Sequence, residues 1–135
     1  MLIPLVDSEA KLSNSEIDDF ELALNAKLPS SFKDLYCAKN GGYIDDQKGG
    51  NSLLLAGFVP IKYGRLPIEQ AYKELVDDYP SLVGRIPFAF DEGGNYFLLS
   101  IGNQNSGEVG LWIMDTEEYH LVASDFRSFL DRLAS

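Results

Sequence analysis

The order of apolar spacings along this 135-residue chain predicts an α+β domain, an antiparallel (mixed) β-sheet with helices packed mainly on one face. Three observations carry that expectation. Residues 13–40 are spaced as helices, residues 86–122 as short strands separated by turn sequences, and the C-terminal stretch returns to helical spacing. Neither a linker nor an internal repeat divides the chain, so one domain over residues 1–135 is expected.

Each element has its own signal. Ser13 and Glu16 have the spacing of a capping box, which satisfies orphan amides at a helix start. Ile17, Phe20 and Leu24 then form an apolar stripe, while Asp18, Asp19 and Glu21 are expected to face water. Pro29 opens a second helix, as a residue whose missing N–H is not needed there. Phe32, Leu35 and Tyr36 give that helix its buried face. Asn40-Gly41-Gly42 is expected to end it through left-handed backbone. Residues 43–52 read as a polar loop carrying Asp45 and Asp46, and residues 53–61 as a strand. Ile68, Tyr72 and Leu75 mark a helix after Pro67 that finishes near Asp77 and Asp78.

The second half changes period. Residues 86–90 and 96–101 flank Asp91-Glu92-Gly93-Gly94-Asn95, a hairpin sequence in which Gly93 and Gly94 supply positive φ. Residues 109–114 give a third strand and residues 119–122 a fourth. Ser124 is expected to cap a terminal helix with Phe126, Phe129, Leu130 and Leu133 on its apolar face.

Composition narrows the function classes. Twenty-one acids against eleven bases give a net charge of −10, which repels nucleic acid and anionic lipid and attracts a basic partner. The apolar start of the chain is short, lacks a preceding basic residue and is broken by Pro4, so no signal peptide or membrane span is expected and the protein is placed in the cytoplasm. Cys37 is the sole cysteine, which excludes an internal disulfide; it is expected to be a buried, inert thiol.

The segment Ile17-x-x-Phe20-Glu21 … Leu28-Pro29-x-x-Phe32-Lys33-x-Leu35 … Asn40-Gly41-Gly42 resembles the N-terminal signature of the SUKH superfamily. Ile86-Pro87-Phe88-Ala89 with Asp91-x-Gly93-Gly94-Asn95 resembles its central hairpin. Val109-x-x-Trp112 resembles the next strand, and Ser124-x-Phe126-x-x-Phe129-Leu130 the closing helix. The likeness covers residues 17–133. Two positions depart from it: Asn95 stands where the family often has an acid, and Ile113-Met114-Asp115 replaces an Asp-His-Glu-like run. That superfamily includes yeast cell-wall-synthesis regulators and bacterial toxin-immunity proteins. The resemblance therefore implies a protein-binding domain, either an immunity protein that blocks a cognate, possibly nuclease, toxin or a regulatory scaffold module.

Catalytic readings are weaker. His120 is the sole histidine and is expected on an edge strand, leaving Cys37 and the serines without an evident base. A hydrolase using a hidden carboxylate pair is a third reading. Asp45-x-Gln47-x-Gly49-x-Asn51 lacks the twelfth-position glutamate of a calcium loop, where Ala56 stands, and no Cys/His cluster suggests zinc. No metal or cofactor is expected. Gly93-Gly94 amides could cradle an anion, but Asp91 and Glu92 beside them oppose it. Trp112 is expected to pack in the core or at its rim. The residues expected to meet a basic protein partner are Asp45, Asp46, Asp77, Asp78, Asp91 and Glu92, all in loops or at helix ends.

Overall fold

The computed structural model describes residues 3–45, 51–102 and 106–134. Its elements run β1 (Leu5–Val6), α1 (Asn14–Leu24), α2 (Ser30–Ala38), β2 (Gly42–Ile44), β3 (Leu55–Phe58), α3 (Ile68–Asp78), a 3-10 turn (Pro80–Leu82), β4 (Arg85–Asp91), β5 (Tyr96–Ser100), β6 (Val109–Ile113), β7 (Glu118–Ala123) and α4 (Phe126–Ala134). The seven strands form one sheet in sequence order, and every neighbouring pair is antiparallel. This is the α+β class that the spacing predicts.

The helix signals work locally. The Ser13–Glu16 capping box forms in both directions, and Asn25 in left-handed backbone closes α1. Glu21, expected in water, is buried: its Oε2 accepts the Leu28 N–H at 2.7 Å and lies 3.6 Å from Lys33 Nζ. The carboxylate turns inward because the tight α1–α2 connection leaves that amide without a helical partner. Pro29 is the N-cap of α2, as its fixed φ allows. The cap of α4 is Asp125 rather than Ser124. Its carboxylate accepts the Ser128 N–H at 2.7 Å, which holds that carboxyl below its ordinary pKa.

Helices α1, α2 and α4 cover one face of the sheet. Phe88 of β4 is the hub there, with ring centroids 5.2–6.2 Å from those of Phe126, Phe129, Phe58 and Phe32. The fully buried Tyr36 hydroxyl donates to the carbonyls of Val59 at 2.7 Å and Phe88 at 3.0 Å, and burial raises its pKa well above the ordinary value. Helix α3 packs on the opposite face. Leu75 and Leu82 meet Leu98 and Trp112 in a second, smaller cluster. Alternation along β5 explains the division, since Phe97 and Leu99 point to one side and Leu98 to the other.

Asn40 takes a different role from the expected left-handed cap. Helix α2 ends at Ala38, and the left-handed residue is Gly41 at φ +73. The buried Asn40 amide instead donates to Ala10 O at 3.0 Å and Ile61 O at 2.9 Å, while its Oδ1 accepts the Ile61 N–H at 2.8 Å. Gly41 must lack a side chain because a Cβ there would stand 2.8 Å from Pro60 N. Residues 40–42 thus bind the end of β3 to the N-terminal segment.

The loop after β3 is tethered too. Glu16 accepts hydrogen bonds from Lys62 Nζ at 2.8 Å and from the Tyr63 hydroxyl. Lys62 first, then Tyr63 and the Ser13 amide, hold the Glu16 carboxyl at about 2, below the ordinary 4.5.

Two outcomes are expected. Asn40→Ala leaves the buried Ile61 N–H and the Ala10 carbonyl without partners, while the Ile61 carbonyl keeps the Tyr63 amide, and should lower the unfolding free energy by about 2 kcal/mol. Urea titration measures this; Asn40→Asp should not restore it, having no donor for the carbonyls. For Glu16 the folded pKa is depressed, so its contribution is present above pH 4.5 and is lost as pH falls toward about 2. The urea midpoint of Glu16→Gln should therefore vary less than wild type across that interval.

Candidate functional site

The register of the sheet lines up one row of residues across all seven strands. Val6 pairs with Tyr43, Tyr43 with Gly57, Gly57 with Phe90, Phe90 with Tyr96, Tyr96 with Trp112, and Trp112 with Tyr119. Directly opposed residues project from the same face, so five aromatic side chains share the face on which α3 sits. Gly57 leaves room within this row: a Cβ there would meet the Phe90 ring at 2.7 Å.

Helix α3 covers only part of the row. Tyr79, just past its end, packs on Trp112 with centroids 5.3 Å apart, and Trp112 is 6% exposed. At the β7 end, the Arg85 guanidinium stacks 4.2 Å over the Tyr119 ring, whose hydroxyl donates to Glu108 at 2.8 Å. Burial first and that carboxylate second push the Tyr119 pKa up to about 12. The other half of the row is uncovered. Tyr43 is 55% exposed, its ring 6.1 Å edge-on from the half-buried Phe90.

A cleft of about 560 Å³ opens over that half. Tyr43, Phe90 and Tyr96 supply aromatic surface, Met114 and Gly94 come from the ends of the neighbouring connections, and Leu66 and Arg65 from the segment before α3. Asp7 and Glu9, which follow β1, bring two carboxylates. Among the described residues no cation lies within 4.0 Å of either.

The hairpin at one end of the cleft is fixed by polar contacts. Asp91 accepts from the amides of Gly93 at 2.9 Å and Asn95 at 2.8 Å, and from the Asn95 side chain at 3.1 Å. Asn95 Oδ1 in turn accepts the Met114 N–H at 2.9 Å. An acid at position 95 would face Asp91 with no proton to donate, so the asparagine fits its surroundings. Of the two glycines, Gly94 adopts positive φ and Gly93 does not.

The six acids expected to meet a partner do not converge. Antiparallel pairing brings Asp45, at the end of β2, and the Asp91–Glu92 turn to the same end of the sheet. Asp45 is half-buried and donates its backbone N–H to Pro4 O at 2.9 Å. Asp91 is engaged inside its hairpin, whereas Glu92 is exposed. Asp77 and Asp78 are exposed at the end of α3. Asp46 lies outside the described residues, as do Gln47 and Gly49 of the loop compared with a calcium site. Asn51 from that loop closes a turn through bonds to Leu53 and Leu55.

Sequence reasoning missed Asp7, Glu9, Arg65 and the aromatic row. Cys37 is half-buried in α2 rather than fully buried. His120 is exposed on the edge strand β7 with Glu118 4.0 Å away. Among the described residues, no three His, Cys, Asp or Glu side chains group as metal ligands, and no helix is long and apolar enough to cross a membrane.

Two comparisons bear on this architecture. The chain is 22% identical to the SPbeta prophage-derived uncharacterized protein YokK of Bacillus subtilis (strain 168) over 144 residues, covering 87% of this chain and 72% of that protein. The model of the SMI1 / KNR4 family (SUKH-1) matches residues 11–132, from the start of the capping-box helix into α4. The chain belongs to the SMI1 / KNR4 family (SUKH-1).

Proposed function

We propose that this protein is a non-catalytic, cytoplasmic immunity protein, a single domain that binds a cognate toxin and occludes its basic active-site cleft. Family membership supports a role of the immunity or regulatory kind exercised through protein binding. The observation that carries the finer reading is the unneutralised negative surface.

The net charge is −10, yet several acids spread over the molecule lack internal compensation. Among the described residues, Asp18, Asp19, Asp77, Asp78, Glu92 and Asp115 are exposed and have no cation within 4.0 Å. Such a surface steers a basic partner to it at rates well above those of neutral proteins. A nuclease toxin, whose cleft must hold phosphates, has the complementary potential. Exposed aromatic side chains such as Tyr43 supply the desolvated anchors that hold a complex once it forms.

Co-expression with a toxin encoded beside this gene should restore growth. The association rate of the pair should fall at least about tenfold when ionic strength rises from about 0.05 M to about 0.5 M. Asp77→Asn/Asp78→Asn/Glu92→Gln should slow association at low salt with little change in dissociation. A salt-independent rate removes the electrostatic mechanism. Endogenous partners in pull-downs, with no protection against any toxin, favour the regulatory scaffold instead.

A further inference from the structure

We infer that the cleft over the uncovered half of the aromatic row is the anchor pocket for a partner segment that presents an arginine or lysine beside an apolar side chain. This rests on the protein-binding reading above and gives it a location and a chemistry. The row is continuous, but α3 seals only the Trp112 end; Tyr43, Phe90 and Tyr96 stay open toward the cleft. Aromatic faces left at a surface accept apolar side chains, and they attract cations through the ring quadrupole.

The cleft's charges choose between these ligands and anions. Asp7 and Glu9 are exposed, and among the described residues no cation lies within 4.0 Å of either. A guanidinium entering between them and the rings would stack and pair in one position, as arginine does better than lysine. Arg65 stands in the same lining, also without an ion-pair partner among the described residues. It limits the cleft to a single basic side chain near Asp7 and Glu9, and it offers donors to the backbone carbonyls of an incoming segment. The volume of about 560 Å³ suits a few side chains rather than a folded domain. Nucleic acid is excluded by the two carboxylates and by the charge of −10.

The test uses the full chain and two synthetic pentapeptides, Ac-Leu-Arg-Phe-Gly-Leu-amide and its Glu-for-Arg counterpart, at an ionic strength of about 0.15 M. There screening acts over about 8 Å and leaves mainly local pairs. In 15N-resolved NMR titration the arginine peptide should shift the amides of Gly42, Tyr43, Gly57, Gly94 and Met114, and the glutamate peptide should not. Asp7→Asn/Glu9→Gln should weaken binding about tenfold, the scale of two partly exposed ion pairs. Asp77→Asn/Asp78→Asn, an equal change of charge on α3, should change it less than about twofold. Tyr43→Ala should weaken it as well, since its ring is exposed and its loss does not empty the core. The same spectra report whether each variant is folded.

Equal weakening by the two acid pairs, shifts centred outside the cleft, or no binding of the arginine peptide would each overturn the inference. The two readings fail separately. Toxin protection that survives Tyr43→Ala and Asp7→Asn/Glu9→Gln sinks the cleft and leaves the immunity role, whereas cleft-specific peptide binding without any protection does the reverse.

Discussion

The buried amide of Asn40 is the constraint around which the rest of the molecule is arranged. One buried side chain bonds both backbone groups of Ile61 and the carbonyl of Ala10. Those groups belong to irregular backbone, so no ladder could satisfy them. With Ile61 fixed, Gly41 lies against Pro60 and β2 starts in register with β3. Tyr36, one turn earlier in α2, reinforces the same junction through the carbonyls of Val59 and Phe88. Two polar side chains thereby set the position of Tyr43 and of the segment carrying Arg65.

A sheet with helices on both faces must divide its side chains between two environments. On the face of α1, α2 and α4, packing is complete and aromatic, centred on Phe88. On the other face, α3 has eleven residues and cannot span seven strands. It buries Leu98 and Trp112, packs against β4, and leaves Tyr43 of β2 exposed. The cleft follows from that mismatch between helix length and sheet width. Its lining depends on missing side chains at Gly57, where a Cβ would meet the Phe90 ring, and at Gly42, which sits at φ +123 against Val6 O.

Much of the fold was legible in the sequence because its signals are local. The capping box, the Pro29 start, the apolar face of α4 and the 91–95 hairpin each depend on residues a few positions apart. The strands β1 and β2 were not legible, being two and three residues long and too short for a period. Asn40 was misread because Asn-Gly-Gly normally signals a left-handed ending, and nothing near it in sequence announces that Ile61 needs a partner. The cap falls on Asp125 instead of Ser124 because both are cap residue types, and only the position of the helix start decides between them. The site was least legible of all. Tyr43, Phe90, Tyr96, Trp112 and Tyr119 become neighbours through strand register alone, and Asp7 and Glu9 join them through a strand that carried no signal.

The two edges of the sheet are both blunted. Strand β1 stops after two residues, where Asp7 turns into left-handed backbone at φ +57. On β7, Arg132 takes the Val122 carbonyl at 2.8 Å, beside a break in register. Open edges are where foreign strands zip on through backbone bonds that ignore sequence. Where that route is narrowed, an associating chain is read more by its side chains, so changing a few exposed positions can redirect selectivity while the scaffold persists.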